Sequence, residues 1–422
     1  MTTPTPSPVR LDYRALLSQS AIALVIGVAS GIALLLFEGA AHRIEHVLWH
    51  RLPDAIDVGH GAGWWTFLVM TLGGLVVGVV VHVAPGHGGH DPATESLFGE
   101  PISVTAVPGL LIAALVTLSI GVSMGPEAPL LGASGAALAL VASRRNMPAQ
   151  GIIAVGVAGM LGAMFGAPIG AAFAFMELVP AAGRALCEKL FPLLVAATSG
   201  ALTVTLIATR PRLFAPMPPL RDFLVIDIVS AFVIGAIGAA IGVGFGYALR
   251  FVHPIVHRLS VIPRLTIGGA ALAGIVVVAG DIVMFSGQRE MTDLLLEEGV
   301  MSDGRILLIA AAKIVSLAIA VAVGFRGGRI FPAVFVGLAL GVFIHAIIPG
   351  IPLTLAAGAA MVGILIAFIR AWFLSILMVA LIVGAGVLPL LGVALLGAYL
   401  VVANAPELRV AEYTENTPNN PY

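Results

Sequence analysis

Charged side chains are scarce in this sequence. Lysine, arginine, aspartate and glutamate make up 10% of its 422 residues, whereas a soluble domain typically has about 25%. Hydrophobic residues make up 59%, and the mean hydropathy is +1.07. So few charges cannot keep so much apolar surface in water, and the composition therefore predicts an integral membrane protein.

Other absences narrow the class of protein further. Cys187 is the one cysteine, so no disulfide can form within the chain. The net charge is −1 and no basic run occurs, so we predict no nucleic-acid partner. Residues 1–9 have neither the charged nor the apolar region of a signal peptide, and the first span is expected to stay uncleaved. Alternation of apolar and polar residues with period two is also lacking, which favours helices.

Apolar stretches follow one another along most of the chain. Several are shorter than the roughly 20 residues that a full crossing needs, which is typical of half-helices that meet inside the bilayer. The charges at residues 289–298, around three leucines, predict a short interfacial amphipathic helix. The stretches are residues 15–37, 64–83, 108–120, 152–165, 190–208, 224–249, 265–283, 306–323, 332–348 and 353–400.

The pattern Gly-x3-Gly-x3-Pro occurs twice, beginning at Gly121 and again at Gly324. It predicts two membrane repeats, residues 15–222 and 223–404. Polar tails at 1–14 and 405–422 would flank them, with no appended soluble domain. Repeats of this kind commonly place a transport site at their interface.

A lone carboxylate, Glu127, lies in apolar sequence between Gly125 and Pro129. A charge at bilayer depth costs roughly 2.5 to 3.5 kcal/mol, which makes this residue a candidate for function. Glycine and proline also end one helix and begin another, leaving free N–H groups beside the carboxylate. Segments of the form Gly-x3-Pro begin at Gly88, Gly125 and Gly328. Three converging helix N-termini would form a weak anion site, because each carries free donors and about half a positive charge.

These residues resemble the signature motifs of the CLC family of chloride channels and proton-coupled chloride antiporters. GPEAP at 125–129 looks like the family's G-[RK]-E-G-P, GGRIFP at 327–332 looks like G-G-x-F-x-P, and GGHDP at 88–92 aligns weakly with G-S-G-I-P. Residues 324–337 most resemble a divergent bacterial branch described as ion-transport proteins. The resemblance implies an all-α integral membrane protein with a CLC-like inverted repeat of two halves, built from many tilted, broken and half-spanning helices.

The resemblance also implies roles for particular residues. Glu127 would be the gate, its carboxylate occupying an anion position when charged and leaving when protonated. Glu177 matches a helix carboxylate and is a candidate for a proton path or a structural acid. The predicted anion-binding residues, acting mainly through backbone N–H groups, are Gly88, Gly89, His90, Gly125, Pro126, Glu127, Ala128, Gly328, Arg329, Ile330 and Phe331.

Three positions depart from the family pattern. Leu178 stands where the family has its internal proton-transfer glutamate, Gly89 replaces the pore serine, and Leu408 lies near the position of the pore tyrosine. These departures predict a channel-like or loosely proton-coupled pore for small inorganic anions, with chloride the leading candidate. A proton-coupled antiporter for chloride, fluoride or another anion is the alternative. The resemblance further implies a multi-pass homodimer in the lipid of the cell membrane, with no cofactor.

A hypothesis from another class is an intramembrane metal-dependent hydrolase. It would use the cluster His87, His90, Asp91 and Glu95. Because H-E-x-x-H is absent and the spacing matches no strong ligand pattern, we predict neither an enzyme nor a metal site. Lys313 is predicted to be a buried structural partner, and Arg370 a structural residue at a break between spans.

Overall fold

A computed structural model of the chain describes residues 13–59, 61–94, 102–146, 148–176, 184–208, 217–220 and 224–410. Apart from a single backbone bridge, the regular structure in these ranges is helical. Its α-helices are α1 (Tyr13–His46), α2 (Leu52–Ala55), α3 (Gly63–Val83), α4 (Val107–Ser119), α5 (Glu127–Arg145), α6 (Ala149–Phe165), α7 (Pro168–Met176), α8 (Arg184–Ala208), α9 (Val225–Val256), α10 (Val261–Ala279), α11 (Glu290–Leu296), α12 (Asp303–Val323), α13 (Ile330–Ile347), α14 (Leu353–Ile369), α15 (Trp372–Val383) and α16 (Leu388–Val402).

Eight helical segments of the described chain are long and apolar enough to cross a membrane. Large apolar side chains such as Leu206 and Val225 are exposed on the outer helices, where lipid would cover them. The predicted multi-pass membrane protein is thereby confirmed. The eight segments are Tyr13–Ala55, Gly63–Val83, Glu188–Ala208, Val225–Val256, Val261–Ala279, Asp303–Val323, Ile330–Ile347 and Ala385–Val402.

The helices pack in two corresponding sets. Helix α1 packs against α6 and α8, and α9 packs in the same way against α14 and α16. Likewise α5 packs on α6 and α13 on α14, while α3 and α10 lie against each other. This correspondence agrees with two structural halves. The predicted boundary at residue 222 lies outside the described residues, so the limits of the halves remain a prediction.

The apolar stretch at 353–400 is divided into three helices. Arg370 ends α14 in the left-handed region with φ 54°, and Gly384 ends α15 with φ 97°. The Arg370 guanidinium donates to the carbonyls of Val402 and Ala405 at 2.8 and 2.9 Å, which ties this break to the end of α16. The break at Arg370 agrees with the sequence prediction, but the break at Gly384 was not predicted, because the residues on both sides of it are equally apolar.

The interior is built around α13 and α14. Every residue from Leu353 to Phe368 is buried, as are most residues of α13. Close approach of the two helices requires Gly341, because a side chain there would overlap the backbone of Ala357. The first turn of α13 is therefore enclosed by protein and does not face lipid.

Candidate anion-binding site

The starts of α5 and α13 meet in the protein interior. The N–H of Gly125 donates to the carbonyl of Gly328 at 2.9 Å, and the N–H of Gly328 donates to the carbonyl of Gly125 at 2.6 Å. This reciprocal antiparallel bridge joins equivalent positions of the two motifs. Helices α5 and α13 begin two residues later, at Glu127 and Ile330. The bridge thus brings two helix N-termini to one point.

The carboxylate of Glu127 occupies the space between these helix starts. The residue is 1% exposed, and its Oε1 accepts the N–H of Phe331 at 2.7 Å. A Cβ atom added to Gly125 or Gly328 would overlap Oε2, so both glycines are needed for the carboxylate to fit. Since N–H groups at a helix start bind anions, the carboxylate lies where a small anion would compete for the same donors.

Two buried oxygens near this bridge make no hydrogen bond within the described chain. They are Oε2 of Glu127 and Oγ of Ser123, which lies two residues before Gly125. Buried polar atoms are normally paired, so both oxygens are candidates to contact an ion or water. Ser123 was not predicted from the sequence, because a single serine among apolar residues carries no recognisable signal.

The third predicted segment forms a loop beside α4. Gly88 and Gly89 have positive φ angles of 64° and 87° and lie against residues 109 and 110. The guanidinium of Arg326, just before α13, donates to the carbonyls of His87 and His90 at 2.7 and 2.9 Å. This loop is therefore fastened to the second helix start. Residues 95–101 lie outside the described chain, so a helix start after Gly88 remains a prediction.

The chain's last described residues also contact the start of α13. The guanidinium of Arg329 donates to the carbonyl of Leu408 at 2.9 Å. Leu408 is 6% exposed and packs against Gly246 of α9. The backbone carbonyl of Leu408 therefore contacts this helix start, while its aliphatic side chain, which offers no hydroxyl, packs against α9.

A cavity lined by both apolar and charged residues approaches the site from the side of α1 and α11. Its volume is about 700 Å³, and its wall includes Pro126, the residue before Glu127. Glu45, His42 and Arg289 also line it, and Arg289 lies 3.2 Å from both a Glu45 oxygen and His42 Nδ1. The cavity thus reaches the immediate neighbour of the carboxylate.

Lys313 is completely buried in α12. Its ammonium group donates to the carbonyls of Val283, Met284 and Phe285 at 3.2, 2.7 and 2.9 Å. It also lies 4.8 Å from the centroid of the Phe335 ring, which allows a cation–π contact. These contacts fix the segment between α10 and α11 to α12, beside Phe335 of α13, so they agree with the predicted structural role.

Replacing Lys313 by methionine is expected to destabilise the protein by about 3 kcal/mol, because it leaves buried carbonyls without their donor. Thermal unfolding of the detergent-solubilised protein would show this as a lower Tm. The matched control is Lys189→Met, since Lys189 is exposed on α8. Equal Tm values for the two variants would contradict a structural role for Lys313.

The four residues of the hydrolase hypothesis do not form the predicted cluster in the described chain, because Asp91 contacts other residues. Glu95, like Glu177 and Leu178, lies outside the described residues. Asp91 Oδ1 accepts the N–H of Ala93 at 2.8 Å. Its Oδ2 lies 3.2 Å from Nε2 of His253 and 3.2 Å from Nε2 of His257, both at the end of α9. These partners were not predicted from the sequence, although the spacing His-x3-His places both rings on one helix face.

The electrostatics of this group favour a charged carboxylate and a neutral ring. Burial raises the pKa of Asp91, but hydrogen bonds from His253 and the Ala93 N–H outweigh it and hold that pKa below its usual range. Burial and the charge of Arg264 lower the pKa of His257 to about 4. Near neutral pH the His257 imidazole is therefore uncharged.

Comparison with known proteins identifies the family. The family model described as "Voltage gated chloride channel" matches residues 73–403. This chain belongs to the CLC family. The protein named "Putative ion-transport protein YfeO" of Salmonella schwarzengrund is 36% identical over 400 residues, which cover 94% of this chain and 97% of that protein.

Solved CLC structures share the fold. One is titled as a CLC-type fluoride/proton antiporter, with TM-score 0.76, 21% identity and coverage of 94% of this chain and 98% of the other. Another is titled as a slow cyanobacterial Cl⁻/H⁺ antiporter, with TM-score 0.77, 18% identity and coverage of 94% and 97%. The predicted all-α CLC-like fold is confirmed. CLC proteins are ion transporters or channels, so the chain is a membrane ion-transport protein and the hydrolase hypothesis is wrong.

Proposed function

We propose that the protein carries small inorganic anions, with chloride the leading candidate, through a pore gated by Glu127. The observation that supports this most directly is the hydrogen bond from the Phe331 N–H to the buried Glu127 carboxylate. The donor belongs to the first turn of α13, where a helix N-terminus favours negative charge. A charged carboxylate and a chloride ion would compete for it.

The gating step needs only the movement of one side chain. When the carboxylate is charged, it holds the N–H of Phe331 and fills the space beside Gly125 and Gly328. Protonation removes the charge that the helix starts attract, and the side chain can then leave. The N–H groups of Ile330 and Phe331 become available to an anion, while the cavity that reaches Pro126 gives it an approach.

We further propose a channel-like or loosely proton-coupled pore. Gly89 has no side chain to hold the ion, and Leu408, whose carbonyl contacts Arg329 just before α13, has an aliphatic side chain without a hydroxyl. Leu178 cannot carry a proton where the family has a glutamate. Weak, largely backbone ligands favour rapid passage, because an ion must be able to leave its site. The antiporters among the similar structures make coupled exchange of chloride or fluoride for protons the second candidate.

Anion flux from liposomes tests the proposal. Purified protein is reconstituted into vesicles loaded with chloride, fluoride or nitrate, and efflux is followed with an ion electrode after a potassium ionophore is added. We expect chloride efflux well above that of protein-free vesicles. If none of the three anions leaves faster than from empty vesicles, the proposed function is wrong.

A pH electrode in the same assay separates the two candidates. A channel-like pore predicts little proton uptake per chloride released. Proton uptake in fixed proportion to chloride efflux, persisting against a pH gradient, would contradict the channel-like interpretation and establish antiport.

The family also implies a homodimer in the cell membrane, and we propose both. The mass of the purified particle tests the homodimer.

A further inference from the structure

Three side chains that commonly bind metal ions converge where the loop after α3 meets the end of α9. Among the described residues, Asp91, His253 and His257 form a group whose ligand atoms all lie within 4.8 Å of one another. Two of the separations, from Asp91 Oδ2 to each histidine Nε2, are 3.2 Å. All three residues are partly buried.

The helix and the turn that carry the three side chains hold them near one another. His253 and His257 are four residues apart, so the end of α9 presents both rings on one face. The turn after the loop fixes Asp91: the Ala93 N–H occupies Oδ1, and the Thr94 hydroxyl donates to the Asp91 carbonyl at 3.0 Å. The other oxygen, Oδ2, is left directed at the two rings. Neither the helix nor the turn would have to refold to offer these ligands.

We propose that Asp91, His253 and His257 bind a divalent transition-metal ion of the Zn²⁺ type. Bonds of about 2.0 to 2.2 Å to a tetrahedral ion place two ligand atoms roughly 3.3 to 3.5 Å apart, and the two separations of 3.2 Å are close to that. The rings stack with centroids 3.7 Å apart and planes at 28°, so one ring must turn for both Nε2 atoms to point at the ion. Water would fill the fourth position.

Hydrogen bonds between Asp91 and the two histidines, without a metal ion, explain the arrangement of the three side chains less well. Nε2 of His257 is buried and lies 3.2 Å from Oδ2, yet it makes no aligned hydrogen bond. One carboxylate oxygen faces two ring nitrogens, and only the His253 contact has hydrogen-bond geometry. A metal ion would satisfy all three atoms. Arg264 opposes the ion because its charge acts on both Asp91 and His257, although its Nε is engaged by the Val323 carbonyl at 3.1 Å.

If the protein transports anions as proposed above, metal binding at this position should affect transport. Asp91 directly follows the loop of residues 87–90, in which Arg326 ties the carbonyls of His87 and His90 to the start of α13. A bound ion would fasten that loop to α9 as well. We expect saturating Zn²⁺ to slow anion efflux at least twofold.

Metal titration of the purified full-length chain tests the site. The protein is isolated through a tag without histidine and stripped with a chelator, and Zn²⁺ affinity is measured by competition with a chromophoric chelator. We expect one Zn²⁺ per chain, and a Co²⁺ complex with the visible absorption of a four-coordinate ion. The double variant His253→Gln/His257→Gln should lower the affinity at least tenfold. Asp91→Asn, which keeps the acceptor for the Ala93 N–H, should also lower it if the double variant does not fold.

The matched control is His46→Gln/His50→Gln. These rings have the same spacing in sequence and are also stacked, but they belong to no three-ligand group in the described chain. This variant should retain wild-type affinity. No saturable binding, or binding unchanged in both His253→Gln/His257→Gln and Asp91→Asn, overturns the metal site. Binding without slower efflux overturns only its effect on transport, whereas an absence of anion efflux at any metal concentration counts against the proposed function and leaves the binding result intact.

Discussion

Replacing Glu127 by alanine is expected to raise chloride efflux and to remove its dependence on pH. The wild-type carboxylate holds the Phe331 N–H at 2.7 Å and blocks the space between Gly125 and Gly328. A hydrogen bond to a charged group contributes about 1.5 to 3 kcal/mol, so losing this competitor should strengthen apparent anion binding about tenfold or more. Initial efflux rates from liposomes, measured over a range of pH and chloride concentration, would show both effects.

The direction of the pH effect follows from charge. In the wild type, low pH protonates Glu127 and frees the donors, so efflux should rise as pH falls. Glu127→Gln keeps the size of the side chain without its charge and should be insensitive to pH. The control Glu188→Ala removes a carboxylate from α8 and should behave as the wild type. Full pH dependence in Glu127→Gln would contradict the gate.

Replacing Gly125 by alanine is expected to displace the Glu127 carboxylate. The three atoms nearest to an added Cβ at Gly125 all belong to that carboxylate, and all are closer than real Cβ contacts allow. Overpacking in a buried site costs about 1 to 3 kcal/mol. The variant should therefore have a lower Tm, and its efflux should be faster and less sensitive to pH. The control Gly392→Ala adds a methyl group where nothing lies within 4 Å.

A double-mutant cycle shows whether the two effects have one cause. The Glu127→Ala variant lacks the carboxylate atoms that the Cβ of Gly125→Ala would overlap. Adding Gly125→Ala to that variant should therefore change neither Tm nor efflux. The coupling should be about 1 to 3 kcal/mol. Gly328→Ala should keep part of its cost in that background, because the Cβ of residue 127 would remain only 2.9 Å away. Additive effects of Gly125→Ala and Glu127→Ala would contradict the packing of the carboxylate between the helix starts.

The helices of the fold were largely predictable from the sequence. Apolar runs gave most spans, and the charges near residue 290 predicted the helix found as α11. Helix α5 was not among the predicted spans, because its glycines, alanines and two terminal arginines lower its apolarity. The break at Arg370 agrees with its prediction from the sequence, whereas the break at Gly384 was missed, since a glycine with positive φ can interrupt a helix without any change in hydropathy.

The site was predictable only in part. A charge among apolar residues singled out Glu127, and the neighbouring glycines and prolines marked the helix starts. Pattern alone could not show that Arg326 fastens the loop after α3, or that Lys313 binds three carbonyls. For Glu177 and Leu178, which lie outside the described residues, the predicted roles remain predictions.

The sequence by itself determined what depends on local chemistry: a membrane protein, broken helices, and an acid at the start of one of them. These properties follow from the transfer cost of a charge and from the backbone constraints of glycine and proline. The tertiary structure decided which groups meet. It pairs Gly125 with Gly328, gives Glu127 the N–H of Phe331, and brings Asp91 to two histidines of α9. Such contacts join residues far apart in the chain, and only the packing of the two halves sets their distances.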